Sequence, residues 1–326
     1  MKMTVRLATE HDTLAILELF KLSLGDAGGI PEAAFWQWKH IQNPFGVSPT
    51  LLAFEDDTLI GLRTFLCWRF RLGQQPIQAY RAVDTATHPE YRNKGIFRTL
   101  TLALINQLKD GEPSIIFNTP NHLSKPGYLK MGWQEFGKTP LFIQPLPQHW
   151  LINRLRKYSA SGKYCESSDW EDDWLSIEAD FRKLTEKLVV TDYTLAYLRW
   201  RYCNIPGFTY QYESQAIGAE KALIFYRVKQ SGKLRELRIT DVFFNHRTSH
   251  VVRKAFQAIT SLHKPDVVTV LVDPQRLLRP LLPFGFISLK RAGLNVTYRE
   301  VNDNVLTKLA SQSEKWFLTS GTIELL

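Results

Sequence analysis

Two stretches of the chain are written to one pattern. FWQWKHIQNPFG opens at Phe35, and YLRWRYCNIPGF opens at Tyr197. In each, a Trp stands three residues after an aromatic, a basic residue follows it, and a Pro comes six residues after the Trp. A repeated supersecondary unit is the simplest source of so specific a recurrence. Other signals keep the same order: Trp38 and Trp200 are 162 residues apart, Gly132 and Gly285 are 153 apart. The expected architecture is therefore α/β, with two tandem units, each a mixed, mostly antiparallel sheet flanked by helices. Residues 1–145 form the first unit, 146–185 a partly helical connector, and 186–326 the second.

Length and composition agree with this reading. The 326 residues suffice for two units that each bury a core. With 44% hydrophobic and 22% charged residues the chain reads as globular. No apolar run reaches membrane-span length, and the opening MKMTVRLATEHD lacks the apolar core of a signal peptide. Three widely spaced cysteines without a C-x-x-C pair fit a reducing, cytoplasmic setting and no metal site. The net charge of +9 comes from scattered Lys and Arg, with small clusters at 69–73 and 154–157. A basic surface can attract nucleic acid, anionic lipid or an anionic cofactor, and without a nucleic-acid-binding motif nucleic acid is the minority reading.

Within the first unit, TVRL reads as a strand and residues 9–24 as a helix capped by Thr9, with Leu14, Leu17 and Leu22 along one stripe. TLLAFED, TLIGLRTFLCWRFRL and IQAYRAVDTATH then read as an antiparallel meander. Ile96, Leu100, Leu104 and Leu108 recur every fourth residue, with Phe97 and Ile105 beside them, as on a helix packed against a sheet. PSIIFNT is a buried strand, NHLSKPGYLKMGW a short helix ended by Gly132, and TPLFIQPL closes the unit. Trp36, Trp38 and Trp200 read as packing residues, with an aromatic platform for an acceptor as the alternative.

The chemistry centres on HPEYRNKGIF. A strand ends at a Pro, and basic residues and Gly95 precede the start of a helix. Glycine lets backbone approach a ligand closely, and the first helical turn offers unpaired N–H groups at a positive dipole end, which suits a phosphate. An ordinary strand-to-helix turn contains the same elements. Asp84, a carboxylate in the middle of an apolar strand, is a candidate general base or substrate anchor. His88 and Glu90 are alternatives to it, and a water relay needs no dedicated residue. On strict alternation, residues 80, 82, 84 and 86 share one face of that strand.

The region resembles the GCN5-related N-acetyltransferase (GNAT) superfamily. Arg92-Asn93-Lys94-Gly95-Ile96-Phe97 matches the family's [Q/R]-x-x-G-x-[G/A] pyrophosphate loop, departing only at Phe97. Asn121, Ser124, Tyr128, Gly132 and Trp133 stand in register with its N-x-x-A-x-x-x-Y-x-x-x-G-[F/Y] motif. The resemblance covers residues 1–145 and implies acyl transfer from acetyl-CoA to an amine, without a metal. It implies that amides at Thr85, Ala86 and Thr87 hold the pantetheine arm and polarise the thioester. Residues Lys94 to Phe97 would bind the pyrophosphate, and Tyr128 would protonate the departing thiolate. In the second unit the loop at 244–256 has no glycine, and Leu281 stands where a Tyr would be, so that copy reads as degenerate. A CoA-sensing or scaffolding protein is the non-enzymatic alternative; the oligomeric state stays open.

Overall fold

The computed structural model describes residues 3–25, 32–150, 153, 162–246, 250–271, 285–302 and 315–323. Leu281, most of the loop before Phe286, residues 247–249 and the basic cluster at 154–157 lie outside the described residues. The first half runs β1 (3–7), α1 (13–24), α2 (33–36), β2 (50–55), β3 (58–72), β4 (75–87), α3 (96–108), β5 (114–118), α4 (125–130) and β6 (134–145). Then come β7 (163–164), α5 (169–184), β8 (189–191), α6 (195–198), β9 (211–217), β10 (220–231), β11 (234–244), α7 (250–263), β12 (267–271), β13 (287–300), β14 (316–317) and α8 (320–323). The fold is mixed α/β around a largely antiparallel sheet, as the sequence suggests.

The strands form one 14-stranded sheet whose main path is β1-β2-β3-β4-β5-β13-β6-β12-β11-β10-β9-β7. Along that path the only parallel pairs are β4–β5 and β11–β12, which occupy matching places in the two halves. Strands β6 and β13 are exchanged at the centre. β13, from the second half, pairs with β5, while β6, from the first, pairs with β12. The two also pair with each other. The sequence reading has TPLFIQPL closing the first unit; in the structure its hydrogen bonds go to strands of the second. Hydropathy decides that a strand is buried on a sheet, not which neighbour supplies its ladder.

The repeated phrase has a common local structure. Ala33–Trp36 continues into a π-helical turn at Gln37–Ile41, and Leu195–Leu198 into another at Arg199–Cys203. The wider turn lets three consecutive side chains face inward: Trp38, Lys39 and His40 in one, Trp200, Arg201 and Tyr202 in the other. The two copies meet. Trp38 Nε1 donates to the Trp200 carbonyl at 2.7 Å, and Trp200 Nε1 donates to the Trp38 carbonyl at 2.8 Å. Their rings stack 4.7 Å apart. Both indoles are buried, so they join the halves and offer no platform to an acceptor.

Helices cover both faces of the first half. On one, α3 buries Ile96, Leu100, Leu104 and Ile105 against β2–β5, together with Tyr128 and Trp133. On the other, Ile16, Leu19 and Phe20 of α1 pack with Trp36, Leu52, Leu62 and Ala86. The stripe expected from Leu14 and Leu22 is exposed instead. The buried stripe is the i, i+3, i+4 set starting at Ile16, the face that packs on Leu52, Leu62 and Ala86 of the sheet. Thr9 donates its N–H and hydroxyl to Asp12, which also holds Arg6. Within residues 146–185, α5 buries Trp170, Trp174, Ile177 and Phe181 at i, i+4, i+7 and i+11 against β10 and β11.

Candidate active site

The cleft begins where β4 stops being regular. Arg63 of β3 pairs with Thr85 and Thr64 with Val83, so Asp84 has no partner and bulges out with a φ of 42°. That extra residue resets the alternation. Ala82 packs under α3, whereas Ala86 packs on the α1 face, although strict alternation gives them one face. β4 pairs with β5 only from Gln78–Ser114 to Arg81–Phe117. Beyond that point the two strands part, and β4 keeps its partner only on the β3 side.

Asp84 is not idle. Lys39 Nζ lies 2.7 Å from its Oδ2, and His40 Nε2 donates to the same oxygen at 2.8 Å. Burial alone would raise the carboxyl; the Lys39 charge and the His40 hydrogen bond outweigh it and hold Asp84 well below the usual carboxylate range. His40 is itself pushed down by burial, against the pull of Asp84, and its ring packs at a tilt on Trp36, 4.1 Å between centroids. The sequence offered a signal here: the basic residue after the repeated Trp. Its partner, 44 residues on from His40, could not be read from spacing.

The turn after β4 has the geometry of an anion cradle. Asn93 and Gly95 take positive φ, 63° and 79°, and Gly95 caps α3 in the left-handed region. A Cβ on Gly95 would meet no heavy atom within 4 Å, so the space above the helix start is open. Arg92 is tied to the Ser23 carbonyl at 2.6 Å, and Lys94 lies over the Tyr91 ring. Phe97, the one departure from the motif, turns its ring edge-on to Tyr128 at 5.6 Å. His88 caps the short turn at Pro89–Tyr91, with Glu90 exposed. Neither takes part in the Asp84 cluster.

The second motif is a capping device. Asn121 Oδ1 accepts from the Leu123 and Ser124 N–H groups and from the Ser124 hydroxyl. This turn starts α4, which carries Tyr128 inward, and Gly132 ends it with a φ of 89°. Tyr128 accepts a hydrogen bond from Arg63 Nη2 at 3.0 Å. Sequence reasoning missed Arg63, since a lone Arg inside a strand gives no pattern.

These elements line one cleft of about 650 Å³. Asp84, Thr85, Phe97, Asn121, Ser124 and Tyr128 meet there. Arg92, Asn93, Lys94, Gly95, Ile96, Ala86 and Thr87 are not among its lining residues; in sequence they lie between Thr85 and Phe97, which are. Lys229, Arg238, Leu294 and Ile323 complete the lining from the second half and the chain's last described segment. No metal-binding cluster occurs among the described residues. No described helix is long and apolar enough to cross a membrane.

No curated protein matches the chain by sequence. Solved structures share its fold, three of them as follows. A GCN5-related N-acetyltransferase from Anabaena variabilis ATCC 29413 matches with a TM-score of 0.64 at 15% identity, over 92% of this chain and 73% of that one. A GCN5-related N-acetyltransferase from Kribbella flavida matches at 0.60 and 12%, over 91% and 71%. A conserved protein from Enterococcus faecalis V583, described as a probable N-acyltransferase, matches at 0.61 and 10%, over 96% and 74%. Residues 4–136, which contain the bulge, the glycine turn and Tyr128, match the family model of the acetyltransferase (GNAT) domain.

Proposed function

We propose that the protein is an acyl-CoA-dependent N-acyltransferase, moving an acetyl group from acetyl-CoA to a primary amine of a small molecule, amino sugar or peptide. The parting of β4 and β5 carries this reading. Beyond Arg81 the amides of β4 face an unfilled side, and the open turn at Gly95 follows directly. An extended pantetheine arm has the shape and the amides to continue that ladder. Thr85, Ala86 and Thr87 would bond it and polarise the thioester carbonyl. The free N–H groups from Lys94 to Phe97, flanked by Arg92 and Asn93, would hold the pyrophosphate. The match to an acetyltransferase domain supports the class, as do the names of the solved structures.

In this reading the amine nitrogen attacks the thioester carbon, the C–S bond breaks, and Tyr128 gives its proton to the sulfur. Asn121 and Ser124 build the turn that presents Tyr128 and border the CoA path. Asp84 serves in this reading as a structural carboxylate and not as the base or substrate anchor expected from the sequence: its proton affinity is low and it is held by Lys39 and His40, so it fixes the bulge that opens the strand pair. The amine's proton leaves through water. We further propose that residues 186–326 are a degenerate copy of 1–145 joined through 146–185, that the protein binds one CoA per chain, and that it works in the cytoplasm. Calorimetry with acetyl-CoA, followed by thiol release on a panel of amines, tests the function. Failure to bind acetyl-CoA overturns it, and binding without turnover on any amine favours the sensor alternative.

A further inference from the structure

Tyr128 is held in an unusual way. A guanidinium has donors and no acceptor, so in the Arg63–Tyr128 bond the phenol oxygen must accept. The proton of Tyr128 is then left to point elsewhere. Arg63 is 1% exposed, and the rings of Phe65, Phe97 and Tyr128 stand 4.9, 5.4 and 5.5 Å from its guanidinium carbon. Among the described residues no carboxylate pairs with it, and its Nε and Nη1 have no hydrogen-bond partner. The one acid lining the cleft, Asp84, is taken by Lys39 and His40.

A buried cation without a counter-charge destabilises a fold unless some other state of the molecule brings the negative charge. The reaction proposed above makes one at this spot. When Tyr128 gives its proton to the departing sulfur, a phenolate remains 3.0 Å from Arg63 Nη2. We propose, resting on that reading, that Arg63 is a positioning residue for Tyr128: it aims the phenol proton at the thiolate and stabilises the phenolate until water restores the proton. The step balances. Thioester and amine become amide and free thiol, the sulfur's proton comes from Tyr128, and the amine's proton returns to solvent.

The test is a double-mutant cycle on thiol release from acetyl-CoA, with the best amine of the panel as acceptor, or water if no amine serves. Tyr128→Phe, Arg63→Met and the double variant are compared for kcat, for KM toward acetyl-CoA and for melting temperature. Arg63→Met should lower kcat by about 10- to 100-fold, the scale of a placed proton donor, and leave KM within roughly twofold. Its melting temperature should hold or rise, because a flexible apolar chain replaces an uncompensated charge. The double variant should be no slower than Tyr128→Phe alone. Should Arg63→Met fail to fold, Arg63→Lys takes its place in the cycle, keeping the charge but not the planar fork. Multiplicative losses, or a change in KM without one in kcat, would overturn the assignment. Wild-type kcat in Tyr128→Phe removes the acid role itself, a different failure from multiplicative losses with Tyr128→Phe slow.

Discussion

The two halves carry the same opening, and only one of them is left open. In the first, Asp84 bulges from β4, and the strand pair separates beyond Arg81–Phe117 into a cleft. In the second, Thr240 is the unpaired residue of β11, between Ile239 and Asp241, and the β11–β12 pair ends at Ile239–Val270. The π-helical turns supply the neighbours each time: Lys39 and His40 hold Asp84, and Tyr202 donates to Asp241. What differs is the occupant. Thr319 to Ile323 lie buried against the second opening, where Ser320 Oγ accepts from the Leu271 N–H and Tyr193 also donates to Asp241. Arg81, which lines the first cleft, reaches across to the Ile323 carbonyl. A bulge and a parting strand pair make a slot, and whether that slot can take a ligand depends on whether the chain fills it itself.

The largest difference between the two openings is expected at the turn around Gly95. Gly95→Glu should abolish acetyl-CoA binding, a loss of at least ~10²-fold, by placing a carboxylate where the phosphates approach. The fold should lose only roughly 1–2 kcal/mol, for a left-handed residue with a side chain in open space. Denaturant unfolding checks the stability and titration calorimetry the binding: wild type should bind one acetyl-CoA per chain, and tight residual binding in the folded variant would make the second opening a working site.

Next in size is the structural carboxylate. Asp84→Asn leaves the Lys39 ammonium, 7% exposed at its side chain, without its counter-charge, and should cost about 3–5 kcal/mol in denaturant unfolding. Because the folded carboxyl sits below its unfolded value, the unfolded chain binds more protons in mild acid. The Asp84 contribution is complete above about pH 5, begins to fall as pH drops through the unfolded value of about 4, and is lost only on reaching the folded value well below it. Wild-type melting temperatures should therefore decline over that range more steeply than those of Asp84→Asn. Unchanged stability with lost turnover would instead restore Asp84 as a base.

Tyr128→Phe should lower kcat by about 10²-fold with acetyl-CoA affinity nearly intact, since it removes one proton donor and keeps the ring contacts with Phe97 and Trp133. The smallest effect is expected in the second half. Gly321 packs so closely that an added Cβ would overlap the Asp241 carboxylate and crowd the Tyr202 hydroxyl. Gly321→Ala should lower stability by about 1–3 kcal/mol and leave calorimetric stoichiometry at one. A second acetyl-CoA site in that variant would show that the buried segment alone keeps the second opening closed.

What the sequence determined is local. The periodicity of α3, the turn residues Asn93, Gly95 and Gly132, the Asn121 cap and the spacing to Tyr128 all depend on residues within a few positions of one another. The phrase around Trp38 and Trp200 announced a repeated unit by the same kind of signal. The tertiary structure decided what depends on distant partners. Strand β6 was legible as a strand, but its exchange with β13 was not, because an apolar strand carries no record of which ladder it will join. Alternation along β4 failed at Asp84, where one extra residue exchanged the faces of those beyond it. Lys39 and His40 meet Asp84, Arg63 meets Tyr128 65 residues away, and Arg81 meets Ile323 across 242 residues. Those contacts come from the packing of helices and π-turns on a single sheet, a property of the assembled sheet and not of any one segment.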